Sequence, residues 1–167
     1  MRIAVLSDTH LKIPSSRLTE EYETELWHMD AVLHCGDFTG ESVWAYLSGH
    51  PAFYAVSGNM DADFGEGFLP DKRLLELGGF RVGMLHGDGL GLGSGDPVQR
   101  ILDFWETELD LICYGHTHRR ELLRSGSTTV LNPGSFRLPK GDSKAGYAVI
   151  DLTPDQGIQV EWREVPG

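Results

Sequence analysis

The chain has 167 residues, enough for one well-buried core and too few for two ordinary domains, so one domain over residues 1–167 is expected. Its 25 acidic against 14 basic side chains give a net charge of −11, which argues against extended nucleic-acid binding, since that needs basic surface to displace counterions. The N-terminus opens into a strand-like run that includes Arg2 and lacks the long apolar stretch of a signal peptide or membrane span, so a cytoplasmic protein without membrane contact is expected.

An apolar run at 3–6 reads as the first strand. A polar loop with Pro14 follows, then 17–29, where Leu18, Tyr22, Leu26 and Met29 recur at helical spacing. Residues 31–33 form a second apolar run, and Glu41–Leu47 reads as a short helix with Val43, Trp44 and Leu47 on one side. After a third run at 53–56 comes a Gly- and Asp-rich loop, 58–71. Lys72–Leu77 and Phe80–Leu85, joined by Gly78-Gly79, predict a hairpin. Asp96 before Pro97 starts a third helix with Val98, Ile101, Leu102 and Trp105 as its stripe. Beyond 111–114, the runs at 122–123, 128–131, 147–152 and 158–162 read as consecutive strands. An α/β half followed by a mostly β half fits two packed sheets with helices outside them.

Five of the apolar runs stop at residues that bind metals: Asp8 and His10, Asp37, Asn59, His86, and His116 with His118. Loops at the carboxyl ends of strands converge on one crevice in open α/β sheets, so these seven side chains are expected to form one site. Mixed imidazole and carboxylate sets suit divalent first-row metals, and two adjacent metals need a bridging carboxylate, here assigned to Asp37. Asp8, His10 and His118 are assigned to one ion, and Asn59, His86 and His116 to the other. With so many imidazoles, two manganese ions are the first choice, iron, nickel and zinc the alternatives; no organic cofactor site is expected.

In this order, Asp8-Thr9-His10, Gly36-Asp37, Gly58-Asn59, His86 and Gly115-His116-Thr117-His118 resemble the calcineurin-like metallophosphoesterases. Ser7, Asp30 with His34, and Asn132-Pro133-Gly134-Ser135 extend the resemblance to the YfcE-like branch of small phosphodiesterases. The resemblance implies an α/β fold of two packed mixed β-sheets flanked by helices, a four-layer αββα sandwich. It also implies a dinuclear site that hydrolyses phosphate esters, a bridging hydroxide as nucleophile, and catalytic contacts from Asp37, Asn59, His86 and His118. Two divalent ions, less two aspartates and one hydroxide, leave about one positive charge, which suits a singly charged diester. The chain departs from relatives at three places: Met60 where most of the superfamily has His, Asp88 in place of the second His of His-Gly-His, and Ser57 where Arg is common.

Other residues are read more plainly. His34 is expected to face away from Asp37 in a supporting role, and His28 and His50 to lie on the surface. Asp61 is read either as an acceptor for a ligating imidazole or as a solvated loop carboxylate. The glycine-rich stretch 87–95 is read as a rim or lid, and Asn132 and Ser135 either as substrate neighbours or as a rigid turn. Arg137 and Lys140 are candidates for contacting a phosphate. Cys35 and Cys113 are expected to be buried thiols, and the four tryptophans to be core. The expected partner is a small phosphodiester or phosphate-ester substrate. A phosphomonoesterase or nucleotide phosphatase, a non-catalytic scaffold like the retromer subunit of this fold, and a homo-oligomer all stay open.

Overall fold

In β1 (Arg2–Leu6), Ile3 and Val5 face one way and Ala4 and Leu6 the other, and all four are fully buried. A strand buried on both faces needs a layer on each side, and this alternation sets the architecture. The computed structural model describes residues 1–65, 67–92 and 97–165. β1 lies at the centre of a five-stranded sheet, parallel to β2 (Ala31–His34) and antiparallel to β9 (Gly146–Thr153). β3 (Phe53–Ala55) and β10 (Gly157–Glu164) are its edges. The second sheet runs in the order β4 (Lys72–Leu77), β5 (Phe80–Leu85), β6 (Leu111–Cys113), β8 (Thr128–Pro133), β7 (Arg120–Ser125). In it β5, β6 and β8 are parallel, and β4 and β7 are antiparallel edges.

Ile3, Val5, Leu33 and Ile150 of the first sheet share a core with Val82, Met84, Leu111 and Leu131 of the second. On the outer face of the first sheet, Ala4, Leu6 and Val32 pack against Leu18 and Tyr22 of α1 (Ser16–Thr24) and Val43 and Leu47 of α2 (Glu41–Leu47). On the outer face of the second, Ile112 and Val130 meet Ile101 of α3 (Pro97–Asp103). The result is an α/β fold of two mixed sheets with helices on both outer faces, as expected. Gly78 and Gly79 (φ 59° and 83°) make the two-residue hairpin turn, a conformation that glycine adopts without steric cost.

Several boundaries differ from the sequence reading. The first helix ends at Thr24 and a 3-10 turn, Leu26–His28, follows, yet Leu18, Tyr22, Leu26 and Met29 are all buried. Burial of the stripe therefore survives a break in the helix. Its start is capped by Ser15, whose Oγ accepts the Leu18 N–H at 3.2 Å. The Asp96 cap and part of the 87–95 stretch lie outside the described residues. Strands β7 and β8 belong to the second sheet and β9 and β10 to the first, so neither sheet corresponds to one half of the chain. Trp44, Trp105 and Trp162 pack against the cores, whereas Trp27 is 49% exposed. Cys35 and Cys113 are buried free thiols. Among the described residues no helix is long and apolar enough to cross a membrane.

The parallel strands carry the carboxyl ends of β1, β2 and β3 in one sheet, and of β5 and β6 in the other, to one edge of the sandwich. There the sheets are tied together by His86, whose Nδ1–H donates to Cys35 O at 2.7 Å.

Candidate metal centre

Just past these strand ends the backbone is strained. Among the described residues, the non-glycine positions with positive φ are Asp8 (52°), His10 (46°), Asp37 (61°), Thr39 (67°), His116 (67°) and His118 (59°). Left-handed backbone costs a residue with a Cβ about 1–2 kcal/mol, and all of these but Thr39 are candidate ligands. The turns are held by bonds across the strand ends: Asp8 N–H donates to Gly36 O at 3.0 Å, and His10 N–H to Asp37 O at 3.1 Å. Glycine is required where these loops touch. A Cβ on Gly58 would lie 2.3 Å from Asp37 Oδ1, and one on Gly115 1.9 Å from Ser7 Oγ.

The seven candidate ligands gather in two groups that meet at Asp37. Ser7 Oγ–H and His116 N–H both donate to Asp8 Oδ2, at 2.6 and 3.0 Å, which turns Asp8 Oδ1 inward. Oδ1 lies 3.2 Å from His118 Nε2 and 3.7 Å from His10 Nε2. His118 donates Nδ1–H to Leu138 O at 2.6 Å, so its Nε2 carries a lone pair. That Nε2 is 3.1 Å from His10 Nε2. One donor atom from each of Asp8, His10, Asp37 and His118 lies within 4.8 Å of the others. In the second group His86 Nε2 points at Asp37 Oδ2, 3.4 Å away, and His116 Nδ1 is 3.2 Å from Asn59 Oδ1. The His86 and His116 ring centres are 5.2 Å apart. Asp37 Oδ1 accepts the Met60 N–H at 2.8 Å, leaving Oδ2 between His86 Nε2 and His10 Nε2, 3.4 and 3.5 Å away.

Asp8 Oδ1 and His86 Nε2 are buried atoms that make no hydrogen bond. An orphaned buried polar atom is expensive, and inward lone pairs on imidazole and carboxylate are what a divalent first-row metal takes. The residues present therefore fit a metal. The electrostatics agree. Burial alone would raise the Asp8 pKa, but the facing imidazoles of His10 and His118, with the Ser7 hydroxyl, hold it well below the usual carboxylate range. Burial opposes protonation of His86, yet Asp37 and Asp8 beside it raise its pKa to about 9. A bound cation would take the place of such a proton.

Around the candidate ligands stands a layer of buried polar residues. Asp61 is neither of the things expected: it touches no imidazole and is not solvated. Its Oδ2 accepts the N–H groups of Asp37 and Gly58, both at 2.9 Å, and its Oδ1 accepts that of Thr39 at 2.9 Å. One carboxylate thus shapes both the Gly-Asp and the Gly-Asn loops. The Asp two positions after Asn59 was visible in the sequence, but its reach back to 37–39 was not. His34 faces away from Asp37 as expected, stacks on Phe38 with ring centres 3.6 Å apart, and hydrogen-bonds Thr9 Oγ1 at 3.3 Å, between Asp8 and His10.

The remaining readings divide. His50 is not a surface residue: it is buried, donates Nε2–H to Met29 O and accepts the Ala52 N–H at Nδ1, both at 3.1 Å. His28 is exposed. Asn132 and Ser135 are fully buried and brace the loops, Asn132 through Gly115 O (2.7 Å) and Ser135 through Asp8 O (2.6 Å). Ser57 bonds Asp71 Oδ1 at 3.0 Å. Met60 is half exposed, at 51%.

Residues 1–155 match the family model of the calcineurin-like phosphoesterase superfamily domain. A probable metallophosphoesterase of Methanocaldococcus jannaschii is 34% identical over 140 residues, 84% of this chain and 70% of that protein. Two solved structures share the fold. YfcE, a phosphoesterase from E. coli, has 23% identity and a TM-score of 0.68 over 95% of this chain and 96% of that one. Wild-type Vps29 from Entamoeba histolytica, complexed with zinc, has 22% identity and a TM-score of 0.70 over 96% and 97%.

Two predictions follow from the buried polar layer. Asp61→Asn keeps one carbonyl oxygen and turns an NH2 towards backbone donors, so manganese affinity measured by titration calorimetry should fall about tenfold or more. Unchanged affinity would show that the clamp does not hold the ligand loops. Burial pushes the His34 pKa down to about 3, from 6.5 in the unfolded chain. Below about pH 6.5 the unfolded state therefore binds a proton that the fold refuses, and stability drains away as pH falls towards 3. From pH 7 to 4.5, urea unfolding of the metal-free protein should lose up to about 1.4 kcal/mol per pH unit more than His34→Phe does.

Proposed function

We propose that this chain, which belongs to the calcineurin-like phosphoesterase superfamily, holds two divalent transition ions and hydrolyses phosphodiesters. Membership makes it a metal-dependent phosphoesterase, acting as a hydrolase on phosphoester bonds. The two ions and the preference for diesters are the finer reading. The observation that carries it is Asp37 Oδ2, set 3.5 Å from His10 Nε2 and 3.4 Å from His86 Nε2, between two groups of inward-facing donors. On this reading Asp8, His10 and His118 hold one ion, Asn59, His86 and His116 the other, and Asp37 both. Manganese is the first choice, given four imidazoles. Residues 1–167 are taken as one phosphoesterase domain, supported by a core that both sheets share. The cytoplasm is the proposed location, with the buried free thiols in support.

When bound, such ions make water acidic enough to supply hydroxide near neutral pH and offer positive charge to phosphate oxygens. The protein's part is to aim donors. The Cys35 and Leu138 carbonyls fix the ring orientation of His86 and His118, and the Met60 N–H fixes the Asp37 carboxylate. Asn59 and His116 stand at the open side, where Asn59 is exposed and a phosphate can approach. A purely protein-binding role would leave the orphaned Asp8 Oδ1 and His86 Nε2 without a use.

Reconstituted protein should hold about two metal equivalents by elemental analysis and cleave bis(p-nitrophenyl) phosphate. Asp37→Ala should weaken both ions, whereas His86→Ala mainly disturbs one. A folded wild type that stays metal-free in excess manganese would end the reading.

Met60 shapes the reaction by what it lacks. Its thioether has no proton to donate to a departing oxygen, and it projects half exposed from the loop that carries Asn59. Rates should therefore fall steeply as leaving-group pKa rises. In Met60→His the slope should flatten, because general acid catalysis is worth roughly a hundredfold to ten-thousandfold for poor leaving groups. A shallow slope in the wild type, with chemistry rate-limiting, would mean that another group delivers the proton.

A further inference from the structure

The two flanks of the centre carry opposite charge. Beside the group of His10 and His118 stand Arg119, Arg137 and Lys140, all exposed. Arg137 Nη1–H donates to His10 O at 3.1 Å, and Lys140 N–H to His118 O at 3.1 Å. Arg119 follows His118 directly and shares a cleft of about 620 Å³ with Lys140. Among the described residues no ion pair joins these three cations to a carboxylate; Arg2, Arg17, Arg81, Lys144 and Arg163 form one, and Lys12, Lys72, Arg73, Arg100, Arg120 and Arg124 do not. With Arg137 and Lys140 bonded to the backbone of His10 and His118, these unpaired cations border the centre on this side. The cleft also holds Glu121, Asp142 and Glu164 against Arg119, Arg120, Lys140 and Lys144; Glu164 pairs with Lys144, and the cations outnumber the carboxylates four to three.

Beside the other group, a second cleft of about 380 Å³ opens against Gly58 and His86. Its wall carries Asp71, Asp88 and the Phe104 ring, and among the described residues no Lys or Arg lines it, with Lys72 Nζ 4.9 Å from the centre of the Phe104 ring. A second anion on this side would meet like charge at short range.

Resting on the phosphodiesterase reading above, we infer that the substrate is an asymmetric diester. One arm bears a further anionic group, a phosphate or carboxylate, that lies over Arg119, Arg137 and Lys140. The other arm carries no negative charge and occupies the Asp71, Asp88 and Phe104 cleft. Arginine and lysine bind such groups through charge-assisted hydrogen bonds, while the acidic flank rejects the reversed orientation. The specificity is set by charge outside the ligand set, so substrates with equal reactivity at phosphorus are told apart by what lies beyond it.

The test compares thymidine 5′-(p-nitrophenyl phosphate) with the same ester carrying a 3′-phosphate, both assayed with manganese-loaded protein. The reacting phosphate and leaving group are identical, and only the distal anion differs. The kcat/KM ratio should favour the 3′-phosphorylated ester by about tenfold, the yield of two or three exposed charge pairs. It should decline with added salt, and it should fall towards one in Arg119→Gln/Lys140→Gln. A ratio does not depend on how much of each preparation holds metal. A wild-type ratio near one, or a ratio unchanged in the variant, overturns the inference. If neither ester is cleaved, the phosphodiesterase reading has failed, and calorimetry then decides the charge inference separately. Thymidine 3′,5′-bisphosphate binding more tightly than thymidine 5′-monophosphate, with the difference lost in the variant, supports it; equal binding overturns it.

Discussion

Asp8 and Asp37 are buried carboxylates facing the imidazoles of His10, His86 and His118 across 3.2 to 3.7 Å, and the rest of the structure serves that arrangement. Removing carboxylates from water costs several kcal/mol each unless positive charge compensates them. In the metal-free protein His86, its pKa raised to about 9, supplies part of that charge, and a divalent metal would suit the same place because Asp8 Oδ1 and His86 Nε2 have no hydrogen-bond partner. The fold cannot close around these groups cheaply without a cation, and this links the packing of the strand ends to the chemistry of the site.

The cost is contained by a layer of buried polar residues that hydrogen-bond the backbone of the loops carrying the candidate ligands. Asp61 gathers the N–H groups of Asp37, Thr39 and Gly58, Ser135 holds the Asp8 carbonyl, and Asn132 holds that of Gly115. Each satisfies a backbone group that a left-handed turn leaves without a regular partner. Strain at the candidate ligands and saturation of the surrounding backbone are two sides of one design: the turns aim the side chains, and the buried hydrogen bonds keep the turns from relaxing.

Each sheet of the sandwich presents one edge of parallel strand ends, and the centre lies where those edges meet. The first sheet contributes Asp8, His10, Asp37 and Asn59, and the second His86, His116 and His118, so neither carries a complete set. His86 joins them physically through its bond to the Cys35 carbonyl. Relative movement of the sheets would therefore be felt at the centre. The charged flanks inherit the same division: loops after β6 and β8 bring cations to one side, and loops after β3 and β5 bring carboxylates to the other.

The alternation of apolar residues along the strands, the Gly78-Gly79 turn and the short helix at 41–47 were legible in the sequence because each depends on neighbours within a few positions. The convergence of the seven ligand candidates was legible too, since each follows an apolar run and strand ends share one edge. What local pattern could not decide was partnership across the chain. Nothing near His50 announced that Met29 O and Ala52 N would enclose it, nor near Asp61 that it would bind back to Asp37 and Thr39. The sorting of β7 and β8 into one sheet and β9 and β10 into the other was equally invisible, because all four have strand-like patterns. Short-range patterns determine which elements form and which face of each is apolar. Only the tertiary structure decides which distant groups become buried together, because hydrogen-bond satisfaction and charge compensation depend on distances that the fold alone creates.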